Sequence, residues 1–536
     1  MLLAALSLVM ALLAWHPAMD AGGDSAAYWS LAEALAAGRG YVEAWDPAGR
    51  PHGQYPPLFP ALLALPMLLG VTSWGTLKLV VVTAAALGTG LSYLWMRRAA
   101  APGVALAGGL VLALSPGIAV LPRDLLSDVP FWTLTMAALL VLSPAAPASR
   151  PVVASRTAPA SRTAPAWRTV VAGGALAGLA YLTRSAGVAL LLAAAVHYAF
   201  RRDWRRLALF LAAAAPAVIG WWLWTRLAGA PSYAGWLRWV DPYRPELGTI
   251  GAGDLFDRMG DNAARYGLRH LPALIAGYAG EGARALVLRA LAAALVVLAL
   301  VGWARRLRSP RVAEWWFAAY GGLLLIWPAT WSGERLLLPL LPVGLLYALD
   351  TAALALRGRS RPLRLGVPAA AAALLLVLVG PALAGAVRTA RHCTAQHAAG
   401  RPYACLPAAY AELLELAERL RGRLPPEAHV LSRKPTIVYV LSGYPGRVYP
   451  LSADPDVFFA AADAADARYV ILDQSPDLAT LYLHPVVGAR RDRFCVLTEP
   501  MVGATALLRI EPPGSLTAPQ WADNAFRACD AAGAEG

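Results

Sequence analysis

Apolar runs of roughly 20 residues, long enough at ~1.5 Å per residue to cross ~30 Å of hydrocarbon, recur from Met1 to about Val387 and then stop. They predict eleven transmembrane helices, at 1–15, 73–96, 103–121, 129–142, 169–182, 187–200, 207–227, 284–303, 313–328, 335–355 and 365–387. The run 57–70, broken by Pro57, Pro60 and Pro66, reads as an interfacial or re-entrant segment; as a full span it would reverse every later orientation. Beyond 388 the pattern changes. Tyr410, Leu413, Leu414, Leu416 and Leu420 fall at helical spacing, and HVLSRK, TIVYVLSG, RYVILD, RFCVLTE and TALLRI read as short strands. The fold class is therefore a polytopic α-helical membrane domain over 1–387, including a loop at 16–72, followed by a small α/β domain over 388–536.

Composition agrees with this reading. The 536-residue chain is 58% hydrophobic and 15% charged, with a mean hydropathy of +0.50. The arginines orient it: Arg97 and Arg98; Arg150, Arg156, Arg162 and Arg168; Arg201, Arg202, Arg205 and Arg206; Arg305, Arg306, Arg308 and Arg311; and Arg357, Arg359, Arg361 and Arg364 occupy alternate loops. By the positive-inside rule these loops are cytoplasmic, which places the N-terminus in the cytoplasm and the C-terminal domain on the exported, periplasmic or extracellular, side of a plasma (inner) membrane. Eighteen arginines against one acid, Asp203, give these loops +17; the whole chain carries +14, so the rest is net −3. The positive charge is thus a topology signal, and a nucleic-acid surface is excluded. The longer loop 143–168, with its TAPASR-like units, reads as a flexible linker. The first apolar run lacks the preceding basic residue and the small-residue cleavage site of a signal peptide, so it is expected to stay as a span.

All four cysteines, Cys393, Cys405, Cys495 and Cys529, lie in the exported tail. Two disulfides, Cys393 with Cys405 and Cys495 with Cys529, suit an oxidising compartment, with free thiols or a zinc site using His392 and His397 as alternatives.

Ionisable groups at the exported face invite a chemical reading, since charge at a membrane boundary is costly unless solvated, paired or used. Asp24 opens an amphipathic stretch, GDSAAYWSLAEALAAGRGY, in which it would serve as a helix N-cap, as a general base, or as both. Asp128, in LPRDLLSDVPFW, has the same two readings, and with Arg123 and Asp124 it forms a charged knot on the face that carries Asp24. Arg184 and Arg335 run against the positive-inside bias, so each is expected to snorkel to water, to pair with an acid such as Glu334 or Asp128, or to bind phosphate. Tyr55, with Pro56 and Pro57, forms a rigid turn at the membrane surface and is a candidate for shaping a substrate site, as is Tyr28 beside Asp24.

In these residues the chain resembles the GT-C superfamily of polyprenyl-phosphate-dependent glycosyltransferases, particularly bacterial protein O-mannosyltransferases and lipid A aminoarabinose transferases. The pieces that carry the resemblance are GDSAAYWSLAEALAAGRGY, QYPPLFP, LLSDVPF, TRSAG, RLLLPLLP and RKPTIVYVLSG, in that order over most of the chain. The resemblance implies inverting transfer of a sugar from a polyprenyl-phosphate donor to a lipid, glycan or protein acceptor at the exported face. It gives Asp24 the role of base, matches Asp128 to a second exported turn, and sets Arg335, with Arg184, near the lipid phosphate. Many relatives follow the first acid with Glu, whereas this chain has Ser25, so a divalent cation has no assigned ligand here. No glycine-rich nucleotide loop is present, as a lipid-linked donor requires none. The competing classes are a transporter or flippase of a lipid-linked or small solute, and a membrane assembly factor presenting its α/β tail. The first would show paired broken helices at mid-membrane, and the second leaves the exported acids and arginines unexplained.

Overall fold

The computed structural model describes residues 1–143, 166–229, 233–278, 280–474, 478–514 and 528–529. The linker expected at 143–168 falls almost wholly outside them. Each of the eleven predicted apolar runs contains a helix. Among the described residues four helices are long and apolar enough to cross a membrane alone, Trp74–Ala99, Trp204–Leu227, Ala283–Arg306 and Ala369–Ala398; a fifth crossing arises if the bent pair Pro102–Leu114 and Pro116–Arg123 counts as one. The rest are shorter. Leu58–Leu68 has 11 residues and spans about 16 Å, half the hydrocarbon thickness, as the three prolines of that run suggested.

The 45° bend at Ser115 has a local cause. Pro116 lacks an N–H and cannot continue the preceding ladder, so Ser115 Oγ restarts the helix by accepting from the Ile118 amide. Gly117 then lets the backbone meet the carbonyls of Ala273 and Leu274, where any Cβ would collide. Inward faces form a core around Phe59, Trp95, Phe131, Trp132, Trp316 and Tyr347. The helices Trp204–Leu227 and Ala283–Arg306 instead bury only 17% and 28% of their apolar windows, the pattern of surfaces facing lipid.

The tail folds as a four-stranded sheet of β1 (His429–Leu431), β2 (Ala467–Leu472), β3 (Phe494–Val502) and β4 (Thr505–Ile510) in the order β1-β2-β4-β3. β1 and β2 are parallel and the other pairs antiparallel. Alternation decides its two faces: Val470, Leu472 and Leu508 pack with Phe458 and Leu483, while Ile471 and Leu507 pack with Leu413, Leu416 and Leu420 of the helix Ala408–Arg419.

Two expectations need correction. TIVYVLSG is no strand: it lies in the helix Pro435–Ser442, which Pro435 starts at the first helical position and Gly443 ends at φ 86°. Its β-branched residues favour a strand, but Ile437 and Val438 gain more by burial against neighbouring helices. The last apolar helix, Arg361–Ala398, also runs straight through the expected domain boundary at 387. Both anticipated disulfides are formed, Cys393–Cys405 and Cys495–Cys529, which removes the free-thiol and zinc alternatives for these four residues.

Candidate active site

Asp24 does not cap its helix. The helix Gly23–Ala36 is capped by Gly22, whose amide is held by Asp20 Oδ1 at 2.8 Å, so Asp24 falls inside the first turn. There it faces the positive helix end with its side chain about half exposed, free to point elsewhere. It points at two partners. Tyr55 donates its hydroxyl to Asp24 Oδ1 at 2.8 Å, and Arg335 Nη2 stands 3.6 Å from Oδ2. Arg335 thus takes Asp24 as its acid, where sequence had offered Glu334 or Asp128.

Tyr55 is held from several sides. Tyr41 donates to its carbonyl at 2.7 Å, its own amide donates to His52 Nε2 at 2.9 Å, and its ring lies 4.8 Å from that of Tyr28. Because His52 Nε2 accepts, the ring proton sits on Nδ1 and is donated to Glu43 Oε1 at 2.9 Å. Pro56 and Pro57 then lead directly into the helix Leu58–Leu68.

A second pair adjoins this one. Asp128 is 3% exposed, and its Oδ2 lies 2.8 Å from Arg184 Nη1. Arg184 also donates to Ser127 Oγ at 3.2 Å, and that hydroxyl bonds Tyr28 at 2.9 Å. Ser127 therefore joins the Asp128 turn to the helix of Asp24. Arg335 feels the charges of Asp128, Asp24 and Arg184 together. Next to it, Glu334 is held below the usual carboxylate range by the imidazole of His270, whose Nδ1 lies 3.6 Å from its Oε2. Tyr243, from the loop after residue 228, also feels Asp24 and Arg335, and packs edge-on against Trp331 at 6.1 Å.

The remaining two candidates lie behind the site. Arg123 donates at 2.8 Å to the carbonyls of both Ala14 and Ala386, tying the end of the first apolar helix to the interior of the last. That is an anchoring geometry. Asp124 is pushed up to about 7 by burial and by the neighbouring Asp20, against the pull of Lys78, Arg335 and Arg123. Lys78 is fully buried and donates to Ala18 O at 2.5 Å. The structure thus brings Asp24, Tyr55 and Arg335 into direct contact, sets Tyr28, Asp128 and Arg184 beside them, links Asp124 only through its field on Arg335, and places Arg123 on backbone carbonyls.

The C-terminal α/β domain meets the same loop. Thr436 donates to Gly23 O at 3.1 Å, Gly446 N–H to Trp45 O at 2.7 Å, and Arg447 Nη2 to Asp46 Oδ1 at 2.9 Å. Lys434 brings its Nζ to 3.9 Å from the position a Cβ on Gly23 would take. The sequence signals for these missed residues were His52 in the polar patch before QYPP, and RKP opening the segment misread as a strand. Among the described residues the one group of three potential metal ligands is Cys495, Glu511 and Cys529, whose two sulfurs are bonded to each other.

No protein-family model and no curated protein sequence matches this chain. Solved structures do. ArnT from Cupriavidus metallidurans bound to undecaprenyl phosphate matches with a TM-score of 0.56 at 17% identity, over 97% of this chain and 99% of that one. The same protein in the apo state matches at 0.56 and 16%, over 95% and 97%. The oligosaccharyltransferase AglB from Archaeoglobus fulgidus, in complex with an inhibitory peptide and a dolichol-phosphate, matches at 0.54 and 12%, over 96% of this chain and 74% of that one. The likeness runs through the membrane helices and the C-terminal domain alike, and the chain shares the fold of these proteins.

Proposed function

We propose that the protein is a membrane glycosyltransferase that moves a sugar from a polyprenyl-phosphate donor to an acceptor hydroxyl or amine at the exported face, with inversion. One observation carries the reading: in a GT-C fold, a half-exposed carboxylate, Asp24, is held on one oxygen by Tyr55 and faced on the other by Arg335. A base and a phosphate-binding cation are the two functions this chemistry requires, and they stand side by side. The acceptor heteroatom bonds to the anomeric carbon as that carbon's bond to the phosphate oxygen breaks. The acceptor proton passes to Asp24, and the departing oxygen keeps the bonding electron pair, its charge offset by Arg335. The Asp128–Arg184 pair holds the neighbouring wall through Ser127 and Tyr28. A long isoprenoid fits the partly unburied apolar helix faces, and solved GT-C neighbours have been captured with undecaprenyl phosphate and with a dolichol-phosphate.

The arginine-rich loops support a plasma-membrane orientation with a cytoplasmic N-terminus and an exported tail, the side on which Asp24, Asp128 and Arg335 fall. The test is to supply purified protein with a panel of polyprenyl-phosphate sugars and an acceptor. Released polyprenyl phosphate and glycosylated acceptor are expected, and Asp24→Asn should abolish both while leaving the thermal midpoint unchanged. Movement of intact lipid-linked sugar across vesicles without cleavage would establish the transporter reading instead.

A further inference from the structure

We propose that Lys434, carried by the exported α/β domain, binds the phosphate of the lipid-linked donor, so that this domain completes the active site. The inference rests on the polyprenyl-phosphate reading above and adds a residue from the far end of the chain.

Position is the first argument. The side chain of Lys434 runs beside Gly23, the residue before Asp24, with Cδ 3.5 Å and Nζ 3.9 Å from where a Gly23 Cβ would be. These are van der Waals distances, so the lysine lies directly against the backbone that opens the Asp24 helix. The placement is also braced. Pro435 is buried, Thr436 bonds Gly23 O, and the ion pair of Arg447 with Asp46, at 2.9 and 3.1 Å, holds the same domain to the loop that carries Tyr55.

Charge is the second. Arg335 faces Asp24 and Arg184 faces Asp128, so the two arginines are already offset by carboxylates, and Glu334 adds a further negative charge. A sugar-phosphate-lipid diester brings one more negative charge, and cleavage to the monoester develops a second. Beside Arg335, such a site calls for a second cation that no acid already offsets. Lys434 meets this: no carboxylate lies within ion-pair distance among the described residues, and its one partner is the face of Tyr410, 5.8 Å from Nζ. That contact leaves the three ammonium donors available to phosphate oxygens.

The test measures binding of undecaprenyl phosphate to the full-length protein in nanodiscs, with undecaprenol and phosphatidylglycerol as comparison ligands. Lys434→Gln should weaken undecaprenyl phosphate binding about tenfold, as loss of one charge-assisted phosphate contact does. It should leave undecaprenol binding unchanged, and Lys434→Arg should restore most of the affinity. Thr436→Val, which removes the docking hydrogen bond and keeps the charge, should cost much less. Equal affinity in wild type and Lys434→Gln overturns the proposal, as does an equal loss in Lys434→Gln and Lys434→Arg with a lowered thermal midpoint, which marks a packing role. A loss confined to phosphatidylglycerol also overturns it and assigns Lys434 to bilayer headgroups. If the wild type binds no polyprenyl phosphate at all, the underlying functional reading fails first.

Discussion

Tyr55 donates its hydroxyl to Asp24 across 2.8 Å, and this contact fixes the direction of a carboxylate that does not cap its own helix. The ring of Tyr55 is held separately, 4.8 Å from Tyr28. Tyr55→Phe therefore removes the hydroxyl that meets Asp24 while keeping the ring beside Tyr28. Turnover should fall roughly tenfold at saturating donor, the cost of loosening a positioned base, with an unchanged thermal midpoint. Unaltered kcat would show that Arg335 alone orients Asp24.

Asp128 is nearly fully buried and takes Arg184 as its direct ionic partner, with Arg335 as a more distant positive charge. Arg184→Met should destabilise the folded protein by about 3 kcal/mol, because one partner of a buried pair is left uncompensated. Adding Asp128→Asn should recover a substantial part of that loss. Detergent-solubilised thermal unfolding of the single and double variants measures the coupling, and additive losses would exclude it.

Asp124 gives the protein a pH dependence of definite sign. Burial, then the nearby Asp20, push its carboxyl from 3.8 up to about 7, so the folded protein holds this proton more tightly than the unfolded chain. The resulting stability is complete below pH 3.8 and is lost as pH rises through about 7. Asp124→Asn should flatten the stability profile between those values and raise the thermal midpoint at pH 8 above that of the wild type. A lower midpoint at pH 8 would mean that Lys78 and Arg123 need the charge.

The C-terminal α/β domain docks through Asp46, which receives Arg447 from that domain as well as Arg50 from its own loop. Asp46→Ala should loosen this interface while leaving the sheet intact. Hydrogen exchange reports it directly: the Gly446 amide, bonded to Trp45 O at 2.7 Å, should exchange faster, and amides of β2 should not. Equal protection at Gly446 would place the docking energy in the Thr436–Gly23 contact instead.

The disulfides make a covalent prediction. Mass analysis of unreduced digests should recover peptides joining Cys393 to Cys405 and Cys495 to Cys529. Replacing both Cys393 and Cys405 by Ala should lower stability by about 3 kcal/mol, the effect of reopening a short loop in the unfolded chain.

Sequence by itself determined the apolar helices, since a chain segment of that hydrophobicity in lipid must satisfy its backbone internally. It also determined the α/β character of the tail and the confinement of the cysteines to it. Asp24, Tyr55 and Arg335 were each legible as unusual, because charge and rigid turns at a membrane face need a reason. Their grouping was not. Hydrogen-bond direction depends on where a side chain ends, and Asp24 in GGDSA looked like a cap until Gly22 took that position and freed the carboxylate for Tyr55, 31 residues away. TIVYVLSG showed the same limit: its β-branched residues favour a strand locally, but Pro435, Gly443 and burial against two helices made it the helix that brings Lys434 to Gly23. Local propensity amounts to tenths of a kcal/mol per residue, whereas burying an apolar side chain contributes about 2 kcal/mol, so the tertiary structure decided which segments meet at the site.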